Sequence, residues 1–272
     1  MKRLVAFLLS LIVLPLWVAD CPAWGLMGVT GAPTTNYCRD ANAQLCLYMN
    51  NNGGNETDRS ANAYTFTQSA SDNIPTSATV PPGYSGTSRD FVAADTENLS
   101  CLDNVCTNLD INGASAKISM VAWIRNDIIN NAATQRIVFK LATSNIQYGF
   151  GIVGTATNVW KGNGFVSADG TTVVNISSTT TNYASGAWHH ITFVSNGVDL
   201  RLYVDGVIDC TPIAHATGIY NGNATIYVGS SASGQYQDGL LDEIAIFNRA
   251  LSATEIAAIY MYGITGNRGG SD

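Results

Sequence analysis

Residues 188–206 read WHHITFVSNGVDLRLYVDG and decide the fold class, because two short apolar runs lie on either side of a turn. The turn residues are Asn196 and Gly197, and Asn-Gly is a favoured pair for a tight hairpin. Asp205 and Gly206 end the second run in the same way. The stretch therefore predicts two consecutive antiparallel strands.

The same alternation of short apolar runs and turn residues continues on both sides of this hairpin, from residue 43 onward. The pattern is typical of an all-β sandwich with antiparallel sheets. No helix separates the runs, so the pattern excludes a fold of alternating strands and helices. We predict twelve strands, at residues 44–49, 63–67, 90–93, 118–124, 136–141, 148–153, 164–168, 172–177, 188–195, 200–205, 225–229 and 240–247.

One helix is predicted after the last strand. Ser252 and Glu255 have the spacing of a capping box, in which each residue bonds the other's backbone N–H. Ile256 and Ile259 then share one face, and Gly263 is a natural end point.

The first residues have the pattern of a secretory signal peptide. Lys2 and Arg3 precede an apolar run at 4–14, which is shorter than the roughly 20 residues of a membrane span. Cleavage is expected after Ala23 or after Gly25. The alternative is a lipoprotein with Cys21 at its mature terminus. It fits less well, because the acidic Asp20 precedes that cysteine where a small residue is needed.

The composition narrows the class of partner. Only 12% of the residues are charged and the formal net charge is −7, so the chain is acidic and rich in uncharged polar residues. Such a surface argues against binding to nucleic acid or to anionic membranes. The apolar fraction of 46% is enough to form a core.

The six cysteines read as disulfides rather than metal ligands, because the chain is expected to be exported and none has the Cys-x-x-Cys spacing. Short loops favour the pairs Cys38–Cys46 and Cys101–Cys106. Cys210 is then an odd thiol, or the partner of Cys21 if that residue survives processing.

Five segments, taken in order, resemble laminin-G-like domains of the concanavalin A-like lectin and glucanase superfamily. They are ISMVAWI at 118–124, WHHITF at 188–193, LRLYVDG at 200–206, TIYVG at 225–229 and DGLLDEIAIFNRALS at 238–252. The resemblance implies a jelly roll of two curved antiparallel sheets. Members bind glycans, proteins or calcium and some relatives are glycosidases, so the fold alone does not choose the function.

The resemblance covers residues 43–262. The predicted organisation is therefore a signal peptide at 1–25, an irregular lead-in at 26–42, the jelly-roll domain at 43–262 and a loose tail at 263–272.

Two adjacent carboxylates, Asp242 and Glu243, lie within the apolar closing strand. Successive strand residues point to opposite faces, so one of the two is predicted to point inward. Its partner is either loop backbone or Arg249, or else a structural calcium ion. The resemblance implies that Asp58, on an early loop, would be a further calcium ligand.

An enzymatic function is not predicted. A retaining glycosidase needs two carboxylates about 5 Å apart on one face, whereas Asp242 and Glu243, being adjacent, are expected to diverge. His189 and His190 are likewise expected to face opposite ways, and the sequence has no other catalytic pattern.

A sugar site would need exposed aromatic rings that stack on sugar C–H groups. The candidates, which lie near loops or strand ends, are Tyr148, Trp160, Tyr183, Tyr220 and Tyr236. Trp160 is the strongest of them. The alternative for each is that it covers an edge of the sandwich.

The sequence therefore predicts a secreted, non-catalytic module that binds carbohydrate or an extracellular protein and spans no membrane. The alternative is a structural surface or assembly subunit with the same fold. A glycoside hydrolase is the third possibility.

Overall fold

The structure, a computed structural model, describes residues 36–51, 53–69, 73–142, 145–231 and 234–265. The expected signal peptide, Cys21 and the segment 266–272 lie outside the described residues. Two nine-stranded sheets form a sandwich, and every pairing between its strands is antiparallel.

Sheet 1 has the order β15-β14-β13-β7-β18-β5-β4, with β1 also paired to β18 and β16 to β14. Its strands are β1 (Ala43–Leu47), β4 (Thr76–Ser77), β5 (Ser88–Phe91), β7 (Ile118–Asn126), β13 (Trp188–Ser195), β14 (Asp199–Val204), β15 (Val207–Ile208), β16 (Ile213–Ala214) and β18 (Gly239–Phe247).

Sheet 2 has the order β11-β10-β9-β8-β17-β6-β3-β2, with β12 also paired to β10. Its strands are β2 (Glu56–Thr57), β3 (Thr65–Gln68), β6 (Leu99–Cys101), β8 (Thr134–Ala142), β9 (Asn145–Ala156), β10 (Val159–Ser167), β11 (Val173–Ser177), β12 (Tyr183–Ala184) and β17 (Ile226–Val228). Three short 3-10 helices, η1 (Tyr37–Arg39), η2 (Ala93–Asp95) and η3 (Thr107–Leu109), lie in the connections.

The predicted hairpin is confirmed. Strands β13 and β14 pair from Ile191↔Val204 to Ser195↔Leu200. Gly197 has φ +84°, in the left-handed region that favours glycine, and the side chain of Asn196 accepts the N–H groups of Val198 and Asp199.

All twelve predicted strands are present, and six short ones add to them. The largest difference is in β10, which begins at Val159 rather than at residue 164. Gly162 and Gly164 suggest a break in the sequence, but they lie inside the strand. A Cβ at either position would come within 2.7 Å of Leu202 or 2.2 Å of Phe193 on the facing sheet. The glycines therefore permit close packing of the two sheets rather than a turn.

The helix α1 (Ala253–Thr265) has the predicted capping box. Ser252 N–H donates to Glu255 Oε2, and Glu255 N–H donates to Ser252 Oγ. It runs through Gly263 to Thr265, two residues beyond the predicted end.

The two outer faces of the sandwich differ. The main core lies between the sheets. A second apolar cluster covers the outer face of sheet 1, where Cys38 of η1 and Ile256 and Ile259 of α1 pack on strand residues such as Val121 and Phe247. No helix of the described residues contributes to a cluster on the outer face of sheet 2. Among the described residues, the outer face of sheet 2 therefore lacks the cover that sheet 1 has.

Both predicted disulfides are present. Cys38–Cys46 joins η1 to β1, and Cys101–Cys106 closes the loop after β6. Cys210 has no disulfide partner among the described residues; it is partly buried, and its sulfur accepts the N–H of Leu202. Among the helices described, none has the length and apolarity needed to cross a bilayer.

Candidate functional site

A row of residues crosses the outer face of sheet 2 at one height. The strand register aligns Ser100 with Tyr227, Tyr227 with Phe139, Phe139 with Gly149 and Gly149 with Phe165. Alternation places Tyr227 on the outer face, because its neighbours on β17 belong to the main core. We call this set the sheet 2 row.

Gly149 determines how the centre of the row packs. A Cβ at this position would lie 2.7 Å from Phe165 and 3.1 Å from Phe139, so the two rings meet above a residue without a side chain. Their centroids are 5.5 Å apart in an edge-to-face arrangement. Phe139 and Phe165 are only 4% and 3% exposed and belong to neither core cluster. They form the base of the face rather than its surface.

Arg136 lies on this aromatic base. Its guanidinium carbon is 5.3 Å from the centroid of Phe139 and 5.1 Å from that of Phe165, which is cation–π range. Nη1 donates to Asn163 Oδ1 at 3.0 Å, and Nε donates to Gln235 Oε1 at 3.1 Å. Burial lowers the pKa of Arg136 to about 10.

A second glycine lets Arg136 reach Asn163. Gly151 is the Cα partner of both residues, on the strand between them. A side chain there would meet the backbone of Gln135 at 2.1 Å. The two glycines of β9 thus allow contacts between side chains of β8 and β10 across the intervening strand.

The strands of sheet 2 carry almost no negative charge. Apart from Glu56 of the two-residue β2, none of them contains Asp or Glu, although the chain is acidic. Their basic residues are Arg136, Lys140 and Lys161. Lys140 pairs with Asp103 and Asp110 of the loops after β6, whereas Lys161 is partly exposed. The strands of sheet 2 thus carry more basic than acidic residues, although the protein as a whole is acidic.

Two of the five predicted platform residues are wrong. Trp160 is fully buried in the main core, its ring 4.9 Å from that of Tyr183. Tyr148 is also fully buried, and its hydroxyl donates to the Leu109 carbonyl at 2.7 Å. Both were expected near strand ends, but β9 and β10 extend further than predicted and place both side chains inside the sandwich.

The other three predicted aromatics are partly exposed but do not share one surface patch in the contacts observed. Tyr183 packs on Trp160, and its hydroxyl donates to Asp209 Oδ2 at 2.6 Å. Tyr220 lies against Gly170, where a Cβ would come within 2.7 Å of its ring. Tyr236 follows Gln235, whose carbonyl accepts the Arg136 N–H. Their role in binding stays a prediction.

The closing strand contains a bulge that the sequence did not reveal. The register of β18 against β7 shifts between Asp242 and Ala245, and Glu243 has φ +50°. As a result Leu241 and Ile244 both enter the main core. The expectation that Asp242 and Glu243 lie on opposite faces, one pointing inward, is therefore wrong. Both are buried, at 1% and 2% exposure, on the outer side of sheet 1.

Neither of these two carboxylates pairs with Arg249. Glu243 Oε2 accepts the hydroxyl of Tyr37 at 2.7 Å, and Asp242 Oδ1 accepts the Glu243 N–H. Burial and the nearby Glu243 raise the pKa of Tyr37 well above its usual value. Arg249 pairs with Asp40 and Glu255 instead. Tyr37 of the lead-in thus holds the closing strand.

Asp58 has a structural role. Its Oδ1 accepts the N–H groups of Cys46 and Ser60, both at 2.8 Å, and its Oδ2 accepts Ser60 Oγ and the Tyr64 N–H. The Arg59 N–H donates to the Cys46 carbonyl, so the loop runs along β1. Both carboxylate oxygens of Asp58 receive protein donors, and its role as a calcium ligand stays a prediction.

No group of three His, Cys, Asp or Glu side chains that suits a metal occurs in the part of the chain that the structure describes. Calcium binding by this chain stays a prediction.

We expect Asp58→Ala to lower the free energy of unfolding by about 2 kcal/mol, because buried N–H donors lose their acceptor. The loss should be equal in chelator and in millimolar calcium, as measured by thermal denaturation. Asp127→Ala, which removes an exposed partner of Arg125, is the control and should cost less than about 1 kcal/mol. A loss seen only with calcium present would make Asp58 a ligand after all.

The two adjacent histidines face opposite ways, as predicted. His189 packs against Trp160 and Tyr183 and contacts Asp205 through Nδ1 at 2.8 Å. His190 lies on the other side, against Trp123, and burial lowers its pKa to about 4. They cannot act as one metal or acid–base pair.

A separate surface depression of about 430 Å³ lies beside η3 and includes Asn108, Asn112 and Arg249. Its lining is polar and contains no aromatic residue. It lacks the ring needed for stacking on a sugar, so the sheet 2 row is the better candidate.

The residues of this row are not among those that the sequence predicts to bind a ligand. One signal pointed to them: Tyr148-Gly149-Phe150-Gly151-Ile152 alternates glycine with large apolar residues. In a strand this alternation places all the glycines on one face and indicates a face over which neighbouring side chains can meet.

A sequence model of a laminin-G family, described as the concanavalin A-like lectin/glucanases superfamily, matches residues 102–257. None of the curated proteins compared matches the chain.

Several solved structures share the fold. The binding domain of botulinum neurotoxin serotype G has a TM-score of 0.59 and 16% identity, over 81% of this chain and 51% of its own. The binding domain of Paraclostridial Mosquitocidal Protein 1 has a TM-score of 0.59 and 17% identity, over 80% of this chain and 52% of its own. This chain thus spans about half the length of those two.

Domain 4 of AbnA, a GH43 extracellular arabinanase from Geobacillus stearothermophilus, was solved in complex with arabinotriose. It has a TM-score of 0.57 and 14% identity, over 80% of this chain and 98% of its own. At these identities the similarity establishes the fold.

Proposed function

The chain belongs to the concanavalin A-like lectin/glucanases superfamily, and from that premise we propose that it is a non-catalytic module that binds carbohydrate outside the cell. The structures similar to it include binding domains of toxins and a domain solved with an arabinose trisaccharide. They support a binding role by analogy of fold.

The observation that carries the proposal is the open outer face of sheet 2. Tyr227 is partly exposed near one end of the sheet 2 row, and the small hydroxyl residue Ser100 lies beside it. Asn175, exposed on the neighbouring strand, is the Cα partner of Phe165 at the other end. A ring that stacks on sugar C–H groups, with a hydroxyl group beside it and an amide further along the same face, suits an extended oligosaccharide.

The positions of the acidic residues support a non-catalytic role. Glycoside hydrolysis uses two carboxylates that flank the scissile bond. Asp242 and Glu243 are buried on the other sheet, and Tyr37 bonds Glu243 there. The strands that surround the sheet 2 row contribute no carboxylate to it.

The two disulfides support an extracellular location, because such bonds persist in oxidising compartments. A cleaved signal peptide at 1–25 is part of the proposal.

We expect Tyr227→Ala to weaken oligosaccharide binding about fivefold, because the ring supplies much of the contact area in a shallow site. Binding is measured first on an oligosaccharide array that includes arabinotriose, and then by titration calorimetry with the strongest binder. Tyr227→Phe keeps the ring and should keep most of the affinity.

Tyr262→Ala is the matched control, since Tyr262 is a partly exposed tyrosine on α1. Affinity unchanged in Tyr227→Ala, or lost equally in the Tyr262 variant, would remove the sheet 2 row as the site. Release of shorter sugars from the bound oligosaccharide would overturn the non-catalytic assignment.

A second candidate function is assembly, and one observation favours it. Apolar side chains are exposed along the β14 edge of sheet 1, at Val198, Val207, Ile208 and Ile213. Exposed apolar groups of this kind are common where proteins associate. Self-association in sedimentation experiments, without binding to any sugar of the array, would favour assembly over sugar recognition.

A further inference from the structure

Arg136 has no acidic partner among the residues that the structure describes. Its two hydrogen bonds go to neutral amide oxygens, and Nη2 donates to none of the described residues. Five other basic residues of the described chain do have a carboxylate partner: Arg89, Arg125, Lys140, Arg201 and Arg249. Arg136 is therefore a partly desolvated cation whose charge is not matched by any carboxylate of the described residues.

Removing an unpaired charge from water is unfavourable. The Arg136 guanidinium nevertheless lies partly buried on the outer face of sheet 2, where a ligand can reach it. Phe139 and Phe165 below it and Asn163 and Gln235 beside it restrict the orientation of the guanidinium plane. A fixed planar guanidinium matches the geometry of a carboxylate, which it can bind through two parallel N–H donors.

The strand positions around Arg136 carry no competing carboxylate. Gly151, next to Arg136, has no side chain, and the outer positions of β10 and β11 carry Lys161, Asn163 and Asn175 rather than acids. An anion that approaches this face meets two cations and no strand carboxylate, in spite of the net charge of −7.

We propose that the sugar bound on the sheet 2 row carries a carboxylate, a uronate or a sialate, and that Arg136 binds that carboxylate. This inference rests on the proposed function and adds the class of ligand to it. The burial that lowers the pKa of Arg136 leaves the group charged at neutral pH and favours an arriving anion. Tyr227 is the Cα partner of Phe139, on whose ring Arg136 lies, so Tyr227 stacks on the sugar ring while the guanidinium selects its acidic group.

The test is titration calorimetry of the full chain with two acidic probes, trigalacturonate and 3′-sialyllactose. Their neutral counterparts are carboxyl-reduced trigalacturonate and lactose. We expect at least one acidic probe to bind tenfold or more tightly than its neutral counterpart. The probe that shows the difference identifies the carboxylate as uronate or sialate.

Arg136→Met should abolish this difference and leave the affinity for the neutral sugar unchanged. Arg136→Lys, which keeps the charge but not the paired donors, should recover only part of it. Asn175→Asp adds a negative charge at an exposed position of the same face and should weaken the acidic probes by a larger factor than the neutral ones, so it tests the inference even if the Arg136 variants fold poorly.

The failures of the two proposals are distinguishable. If acidic and neutral sugars bind equally, or if Arg136→Met weakens both by the same factor, the carboxylate inference is wrong while carbohydrate binding stands. If none of the four probes and no sugar of the array binds, both are wrong.

Discussion

Replacing Trp160 by alanine should lower the free energy of unfolding by about 4 kcal/mol, the usual size for deletion of a buried aromatic ring. Trp160 is fully buried in the main core, and its ring contacts those of Tyr183 and His189 at centroid distances of 4.9 and 5.3 Å. Because Gly162 and Gly164 bring the two sheets close together here, little backbone movement can fill the cavity. Urea denaturation followed by circular dichroism measures the loss.

Two variants control this experiment. Trp160→Phe keeps a ring in the same space and should cost less than half as much. Trp188→Ala removes the same side chain from a partly exposed position at the start of β13, and should also cost less. If Trp160→Ala leaves the denaturation midpoint unchanged and instead abolishes sugar binding, Trp160 belongs to an exposed platform and the buried placement is wrong.

Replacing Lys140 by methionine should lower the free energy of unfolding by about 3 kcal/mol at neutral pH, because it leaves two acids without their cation. The buried ammonium lies 2.7 Å from Asp103 and 3.0 Å from Asp110, and it donates to the Ala224 carbonyl. Methionine conserves the volume, so the loss reports charge rather than packing. Lys161→Met, at a partly exposed position on β10, is the matched control.

The cost of Lys140→Met should depend on pH. Burial raises the pKa of Asp110 even with the ammonium present, and Asp103 raises it further. Without Lys140 the pKa of Asp110 in the folded state rises further. Ionising Asp110 then costs more in the folded than in the unfolded chain, so the variant loses stability as pH rises above the unfolded carboxyl pKa of about 4. The difference from the wild type should therefore be small near pH 4 and largest near pH 7. If the difference is constant across this pH range, the loss does not come from carboxylates left without the Lys140 ammonium.

The features of the fold that depend on residues close together in the chain were predictable. Asn196-Gly197 fixes the β13–β14 hairpin through bonds within four residues, and Ser252 with Glu255 starts α1 in the same way. Both cysteine pairs close loops of fewer than ten residues, which chain proximity alone brings together.

Two features were not predictable because their cause lies in other strands. In the sequence, Gly162 cannot be told apart from a glycine in a turn. Only its closeness to Leu202 on the facing sheet shows that it permits packing. The bulge at Glu243 depends on how β18 pairs with β7, and it places two consecutive carboxylates on one side of a strand.

The candidate site was missed for a related reason. Arg136 falls within a strand that the sequence predicts, but its importance depends on the register that aligns it with Gly151 and Asn163. A site made of single residues from several strands has no contiguous motif. Aromatic residues next to loops are visible in the sequence as candidates, but two of them, Tyr148 and Trp160, are core residues.

The asymmetry of the two outer faces has a consequence for how the protein can be displayed. The described chain enters through η1 and leaves through α1, and both pack on sheet 1. A tether, fusion partner or biosensor surface attached through either of these segments would lie behind the sandwich, and the sheet 2 row would point away from it. Coupling through Lys161 would instead turn that face toward the support. Immobilisation chemistry therefore decides whether a binding assay on this protein can detect its ligand.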